Sequence, residues 1–194
     1  VSRTPATNPA AVSAFTAIAD NTTLQLSWQN PISLGGGTFD SYRIFVKPTT
    51  VANYPSTYLT VGSMATTSFA VTNLINGVAY DAKIITVTTA NTLELTSNTA
   101  EVRETPRTVP DAPASILVFE VGANLVVSWT SPVSDGGNAV SEYLATISGV
   151  PCVLATPTDT TCSVMAPSAP GNHPIEVKAK NAAGFGVPIT SNFA

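Results

Sequence analysis

The sequence predicts an all-β chain made of two consecutive β-sandwiches, and three observations predict it. Residues 1 to 42 recur as residues 102 to 143 at a constant offset of 101, so that Leu24 falls on Leu125, Trp28 on Trp129, Pro31 on Pro132, Gly35 on Gly136 and Tyr42 on Tyr143. A repeat of that length is a whole domain recurring, not a short solenoid unit. Apolar and polar residues alternate with period two in short runs, the pattern of strands with one face on a core. Clusters of Pro, Gly, Asn and Asp separate those runs at intervals of roughly ten residues, as in an antiparallel sandwich. No stretch has a convincing helical period.

The runs follow in order. Leu24, Leu26 and Trp28 alternate with Gln25 and Ser27, and Leu125, Val127 and Trp129 repeat that inward face. Tyr42, Ile44 and Val46 come next, answered by Tyr143, Ala145 and Ile147. Phe69, Val71 and Leu74 make a later strand and its exit. Tyr80, Ala82 and Ile84 are matched by His173, Ile175, Val177 and Ala179, but at an offset of 93. The second copy is therefore eight residues shorter, and the extra residues of the first lie around Pro48 to Thr66, as a longer loop or an added edge strand. Gly35-Gly36-Gly37 and Asp135-Gly136-Gly137-Asn138 fall between strands, where glycine permits positive φ. Pro106, Pro110 and Pro113 restrict the chain between the copies to an extended, fairly stiff connector that sets two domains end to end. The expected division is a linker remnant over 1–9, a first domain over 10–104, a Pro-rich linker over 105–112 and a second domain over 113–194. Thr96-Ser97-Asn98-Thr99-Ala100 reappears as Thr190-Ser191-Asn192-Phe193-Ala194, so the chain reads as a piece of a longer array.

Composition bounds the function. Only 10% of residues are charged, against roughly 25% in ordinary soluble domains. The net charge is −4, and the eight Lys and Arg are scattered along the sequence with no basic stripe, which argues against a nucleic-acid partner. No window approaches the ~18 apolar residues of a membrane helix, so no membrane insertion is expected.

Both halves resemble fibronectin type III domains, with a Pro-rich entry, a strand ending in Ser-Trp, a following Pro, a Gly-Gly turn and a Tyr fourteen residues after the Trp. In the first half Leu74, Asn76-Gly77 and Tyr80 match the family's corner, and Val177 to Gly184 match its penultimate strand and following loop in the second. The resemblance implies two immunoglobulin-like sandwiches with Trp28 and Trp129 in their cores and Tyr80 capping the corner between sheets. His173 stands at the tyrosine position of the second copy, where Met165, Pro167 and Pro170 replace the usual approach. The first copy has Thr88-Thr89-Ala90-Asn91 where the family has Asn and Gly. A chain rich in Thr, Ala and Gly and poor in charge is similar to the modules of secreted and cell-surface bacterial proteins.

Within that frame, Cys152 and Cys162 straddle a turn on segments able to run side by side, which suggests a disulfide. A metal site lacks further ligands, and a buried reduced pair is the other alternative. His173, the only histidine, has neither a nucleophile elbow nor a second histidine and reads as a structural substitute for the corner tyrosine. The glycine run precedes a strand and not a helix, against phosphate binding. Glu101, Glu104 and Asp111 flank the connector, but six to eight calcium oxygens call for a denser cluster. Asn21-Thr22-Thr23 fits a glycosylation acceptor that occurs often by chance. No catalytic, cofactor or metal residue is expected. The reading is a non-catalytic spacer and interaction module at a bacterial cell surface, whose partners are neighbouring domains of its own polypeptide, other surface proteins or copies of itself. The alternative is an adhesive or carbohydrate-binding array, with Tyr54, Tyr58 and Phe185 as exposed contacts for glycans, or an accessory module of a carbohydrate-active enzyme.

Overall fold

The computed structural model describes residues 5–168 and 171–194; Val1, Thr4 and Pro170, which figure in the repeat and in the second corner, lie outside them. The chain forms two compact units that divide between Pro106 and Arg107. Each is a β-sandwich, and no helix occurs among the described residues.

In the first unit, β1 (Ser13–Asp20), β2 (Thr23–Gln29) and β5 (Ser68–Val71) form one sheet in the order β1-β2-β5. The other sheet runs β4 (Leu59–Val61), β3 (Thr38–Pro48), β6 (Tyr80–Ala90), with β7 (Leu93–Thr96) and β8 (Ala100–Glu104) both pairing with β6. In the second unit, β9 (Pro113–Val121), β10 (Asn124–Pro132) and β13 (Thr161–Met165) make the smaller sheet in the order β13-β10-β9. Its partner joins β12 (Val150–Cys152), β11 (Glu142–Ile147) and β14 (His173–Asn181), with β15 (Gly184–Phe185) and β16 (Ile189–Phe193) on β14. All of these pairings are antiparallel.

Alternation decides what goes inside. β2 buries Leu24, Leu26 and Trp28 against Tyr42, Ile44, Ala82 and Ile84 of the facing sheet, and β10 buries Leu125, Val127 and Trp129 against Tyr143, Ala145, Ile175 and Val177. Each fully buried aliphatic side chain contributes ~1.5–3 kcal/mol, so these two clusters are what hold the sheets together. Trp28 meets Tyr42 edge-on at 5.3 Å, and Trp129 meets Tyr143 in the same way at 5.7 Å. The phenols of both tyrosines reach back to the strand exit, Tyr42 to Asn30 Oδ1 (2.9 Å) and Tyr143 to Ser131 Oγ (3.0 Å).

The two sequence offsets are also registers. Ile44 pairs with Ile84 and Ala145 with Val177, while Leu24 pairs with Val71 and Leu125 with Val164. The length difference falls entirely in the β3–β4 connection: fourteen residues separate the paired Ile44 and Leu59, where six separate Ala145 and Cys152. Of the two expected forms of the insert, a loop and an edge strand, the extra residues make a loop, since the edge strand exists in both units.

The segment 105–112 is fastened along its length. Pro106 is buried and its carbonyl accepts from Gly77 N (2.9 Å), within the first unit. Beyond the division, Thr108 N donates to Gly136 O (2.9 Å) and Asp111 N to Ser134 O (3.0 Å). The same pair of bonds opens the first unit, from Thr7 N to Gly35 O and from Ala10 N to Ser33 O (both 2.9 Å). Glycine is required at the receiving position. Gly35 and Gly136 have φ of +66° and +74°, and a Cβ there would stand 2.0 Å from Thr7 O and 2.2 Å from Thr108 O. In the second unit Asn181, buried at the end of β14, adds a further tie. Its Nδ2 donates to Thr108 O and Asp135 O (both 2.7 Å), and its Oδ1 accepts from Ala183 N (2.8 Å).

Cys152 and Cys162 form a disulfide with a Cα separation of 6.0 Å, within the usual range. The two segments belong to opposite sheets. Cys152 lies on β12 and Cys162 on β13, which are edge strands of opposite sheets, so the bond staples the sandwich across its open edge. Alternation is the reason: both cysteines point inward, where only the other sheet is in reach.

Candidate functional site

The insert between β3 and β4 gives the first unit its most distinctive surface. On β3 the residues that alternate with buried Tyr42 and Ile44 are Arg43, Phe45 and Lys47; on β6, those that alternate with Tyr80, Ala82 and Ile84 are Asp81, Lys83 and Ile85. Register sets them in rows across the outer face: Phe45 beside Lys83 beside Glu101, and Lys47 beside Asp81 beside Arg103. The insert lays Tyr54 and Tyr58 on these rows. Lys83 Nζ stands 4.6 Å from the ring centre of Phe45 and 4.4 Å from that of Tyr54, Lys47 Nζ is 5.2 Å from Tyr54, and the Arg43 guanidinium is 4.8 Å from Tyr58. Phe45 and Tyr58 touch at 5.4 Å.

Ion pairs complete the face. Asp81 receives Arg103 Nε (2.7 Å) and Lys47 Nζ (3.1 Å), and Arg43 grips Glu94 through both terminal nitrogens. The Arg103 hydrogen bond, with help from Lys47, holds the Asp81 carboxyl below the usual aspartate range, and Arg43 does the same for Glu94. Burial pushes the Tyr54 phenol up to about 12, and nearby Glu101 and Asp81 push in the same direction. Contacts of these kinds contribute ~0–1 kcal/mol each, enough together to hold a loop down but not to define a core. Arg43 and Lys47 of β3, Lys83 of β6 and Arg103 of β8 are gathered on one face by strand register, each beside an acid or a ring.

A carboxylate whose pKa is lower folded than unfolded adds stability that is fully present above the unfolded value of ~3.9 and lost as pH falls through the folded value. Acidification from pH 5 to below pH 3 is therefore expected to lower the melting temperature of the first unit, and Asp81→Asn to weaken that dependence. A melting temperature whose fall with acid is the same with and without Asp81 would contradict this.

Trp28 and Trp129 are buried core residues. Tyr80 accepts a hydrogen bond from Ile75 N (3.2 Å), bridging the corner. His173 stands at the corresponding place, half-buried, with Nδ1 3.1 Å from Ser148 Oγ on the β11–β12 hairpin and its ring 6.4 Å from Phe193. Beside it a groove of about 370 Å³ opens between β12 and β13, lined by Ile147, Val150, Val164 and Met165. Asn21 sits on the exposed β1–β2 turn, its Oδ1 accepting from Asn76 Nδ2 (2.8 Å). Of the aromatics expected to be exposed, only Tyr58 is. Tyr54 and Phe185 are half-buried, and Phe185 lies under Lys178 and Lys180 at 5.0 Å each. Among the described residues, no three His, Cys, Asp or Glu side chains come together as metal ligands.

Sequence reasoning named Tyr54 and Tyr58 but missed the residues beneath them. The signal was present, because Arg43, Phe45 and Lys47 occupy the out-pointing positions of a strand whose in-pointing ones were recognised. A family model for the fibronectin type III domain matches residues 7–103, nearly all of the first sandwich and half of the chain. The chain belongs to the fibronectin type III family.

Proposed function

We propose that the chain is a tandem of two fibronectin type III domains acting as a non-catalytic spacer and protein-interaction module of an extracellular bacterial protein. The observation that carries this is the recurrence of the first unit's frame in the second. The offset-101 pairs include the Trp and Tyr of the core, the glycine that receives the entry segment, and that segment's two backbone bonds. Fastened entry segments suit a module whose work is to separate and present its neighbours. Placement outside the cell is supported by the disulfide, since such bonds persist in oxidising compartments, and by the charge-poor, Thr-rich composition.

The glycan-binding alternative finds less support. A sugar stacks on an open ring, and the rings of Phe45, Tyr54 and Phe185 have cations over them. The test is a screen of the 194-residue chain against immobilised glycans and proteins, alongside panels of hydrolase substrates. The spacer and interaction reading expects no turnover and no glycan retained at micromolar affinity. A glycan whose binding is lost with Tyr58→Ala, or a turnover lost with His173→Ala, would overturn it.

A further inference from the structure

The second unit differs from the first in the outer face of its smaller sheet. On β9 the out-pointing residues are Leu117, Phe119 and Val121, with relative exposures of 64%, 47% and 56%; Val126 on β10 lies opposite Phe119, and Met165 at the end of β13 is 80% exposed. The remaining outward positions of this sheet are Ser115, Asn124, Ser128, Thr130, Thr161 and Ser163, so the face carries no charge. The fold does not demand this. The first unit, built on the same frame, has Thr16, Asp20, Gln25 and Thr72 where the second has Leu117, Val121, Val126 and Met165, and only Ile18, the counterpart of Phe119, stays apolar.

We infer that this face is a homotypic contact, on which the β9-β10-β13 sheet packs against the same sheet of a second copy of the chain. The charge pattern selects that occupant. In a two-fold pairing each patch meets itself, and a charged patch would meet its own sign. The outer face of the first unit's larger sheet is laced with ions, whereas this one is neutral throughout and self-complementary. Flat sheet faces pack ~10 Å apart through interdigitating side chains, and Leu117, Phe119 and Val121 are suitably spaced along one strand to do so. The area sets the strength. Three strands ~4.8 Å apart and about eight residues long offer roughly 400 Å² per partner. That is about 800 Å² in total, below the ~1,200–2,000 Å² of stable complexes. The dimer is therefore weak for the single chain, and it gains strength when several such units are tethered in one polypeptide. The inference builds on the reading of the chain as an interaction module and names its partner.

The test is sedimentation equilibrium of the whole chain up to roughly 1 mM, the range in which interfaces of this size associate. The expected result is a weight-average mass that climbs from 20.0 kDa toward twice that value. Phe119→Lys should hold it at the monomer, while Ile18→Lys, at the equivalent place on the first unit, should leave the climb intact. A dilution series of amide NMR spectra on the unmodified protein gives the same answer without any variant, with shifts expected at β9, β10 and β13. A monomer at every concentration overturns the inference. So does association that survives Phe119→Lys, or shifts produced by phosphatidylcholine–phosphatidylglycerol vesicles but not by concentration, which would make the face a lipid surface. None of these failures touches the non-catalytic reading, which the array and substrate panels test separately.

Discussion

Replacing Cys152 and Cys162 together by alanine should lower the melting temperature of the second unit by roughly 15 °C and leave the first where it was. Closing a loop of this length removes ~3 kcal/mol of unfolded-chain entropy, and 1 kcal/mol corresponds to ~4–8 °C in a domain this small. The geometry argues for the full effect. The bond joins edge strands of opposite sheets, and β12 is only three residues long, held to β11 by three residue pairs. Once the staple is gone, β12 keeps its three pairs to β11, while the turn that follows keeps the bonds from Tyr143 N to Pro157 O (2.8 Å) and from Trp129 N to Thr160 O (2.9 Å). Reduction of the unmodified protein should reproduce the shift, which separates loss of the bond from loss of the cysteine side chains. Calorimetry on the whole chain reads both units in one scan; an unmoved second transition would show that the staple is redundant.

Asn181→Ala should cost the second unit about 3 kcal/mol, again on the order of 15 °C. The side chain is 2% exposed and makes three hydrogen bonds, two of them to the carbonyls of Thr108 and Asp135. Each bond has a net value of ~0.5–1.5 kcal/mol, and the three together set the size of the effect. The first unit supplies the control. By register its counterpart is Thr88, whose buried hydroxyl has no hydrogen-bond partner among the described residues. Thr88→Ala should therefore change little or stabilise slightly. If Asn181→Ala is as mild as Thr88→Ala, the entry segment is not held by this knot.

The frame of each unit was legible because period-two alternation and the Trp spacing are local properties of a strand. The position of the insert was legible too, since two offsets bracket it. What the insert does was not. Tyr54 and Tyr58 are placed by a loop, and their cationic neighbours come together only when β3, β6 and β8 take register. The cysteines paired as their spacing suggested, but which strands they join depends on the direction of two side chains across the sandwich. Gly35 and Gly136 read as turn residues, whereas their tightest constraint is the carbonyl of the entry segment, a contact no local pattern reveals. Asn181 was visible as part of the family's loop and as a position at which the copies differ, but its role required the three backbone groups that converge on it.

Pulling single molecules of the whole chain by its ends tests the two-unit account most directly. Two separate unfolding events are expected, one per sandwich. The disulfide hides the ten-residue separation between Cys152 and Cys162, so under oxidising conditions one event releases less chain. Reductant should lengthen that event alone by about 30 Å, at ~3.3–3.6 Å per extended residue less the span of the bridge. A single event covering the whole chain, or release lengths that do not change on reduction, would contradict the account.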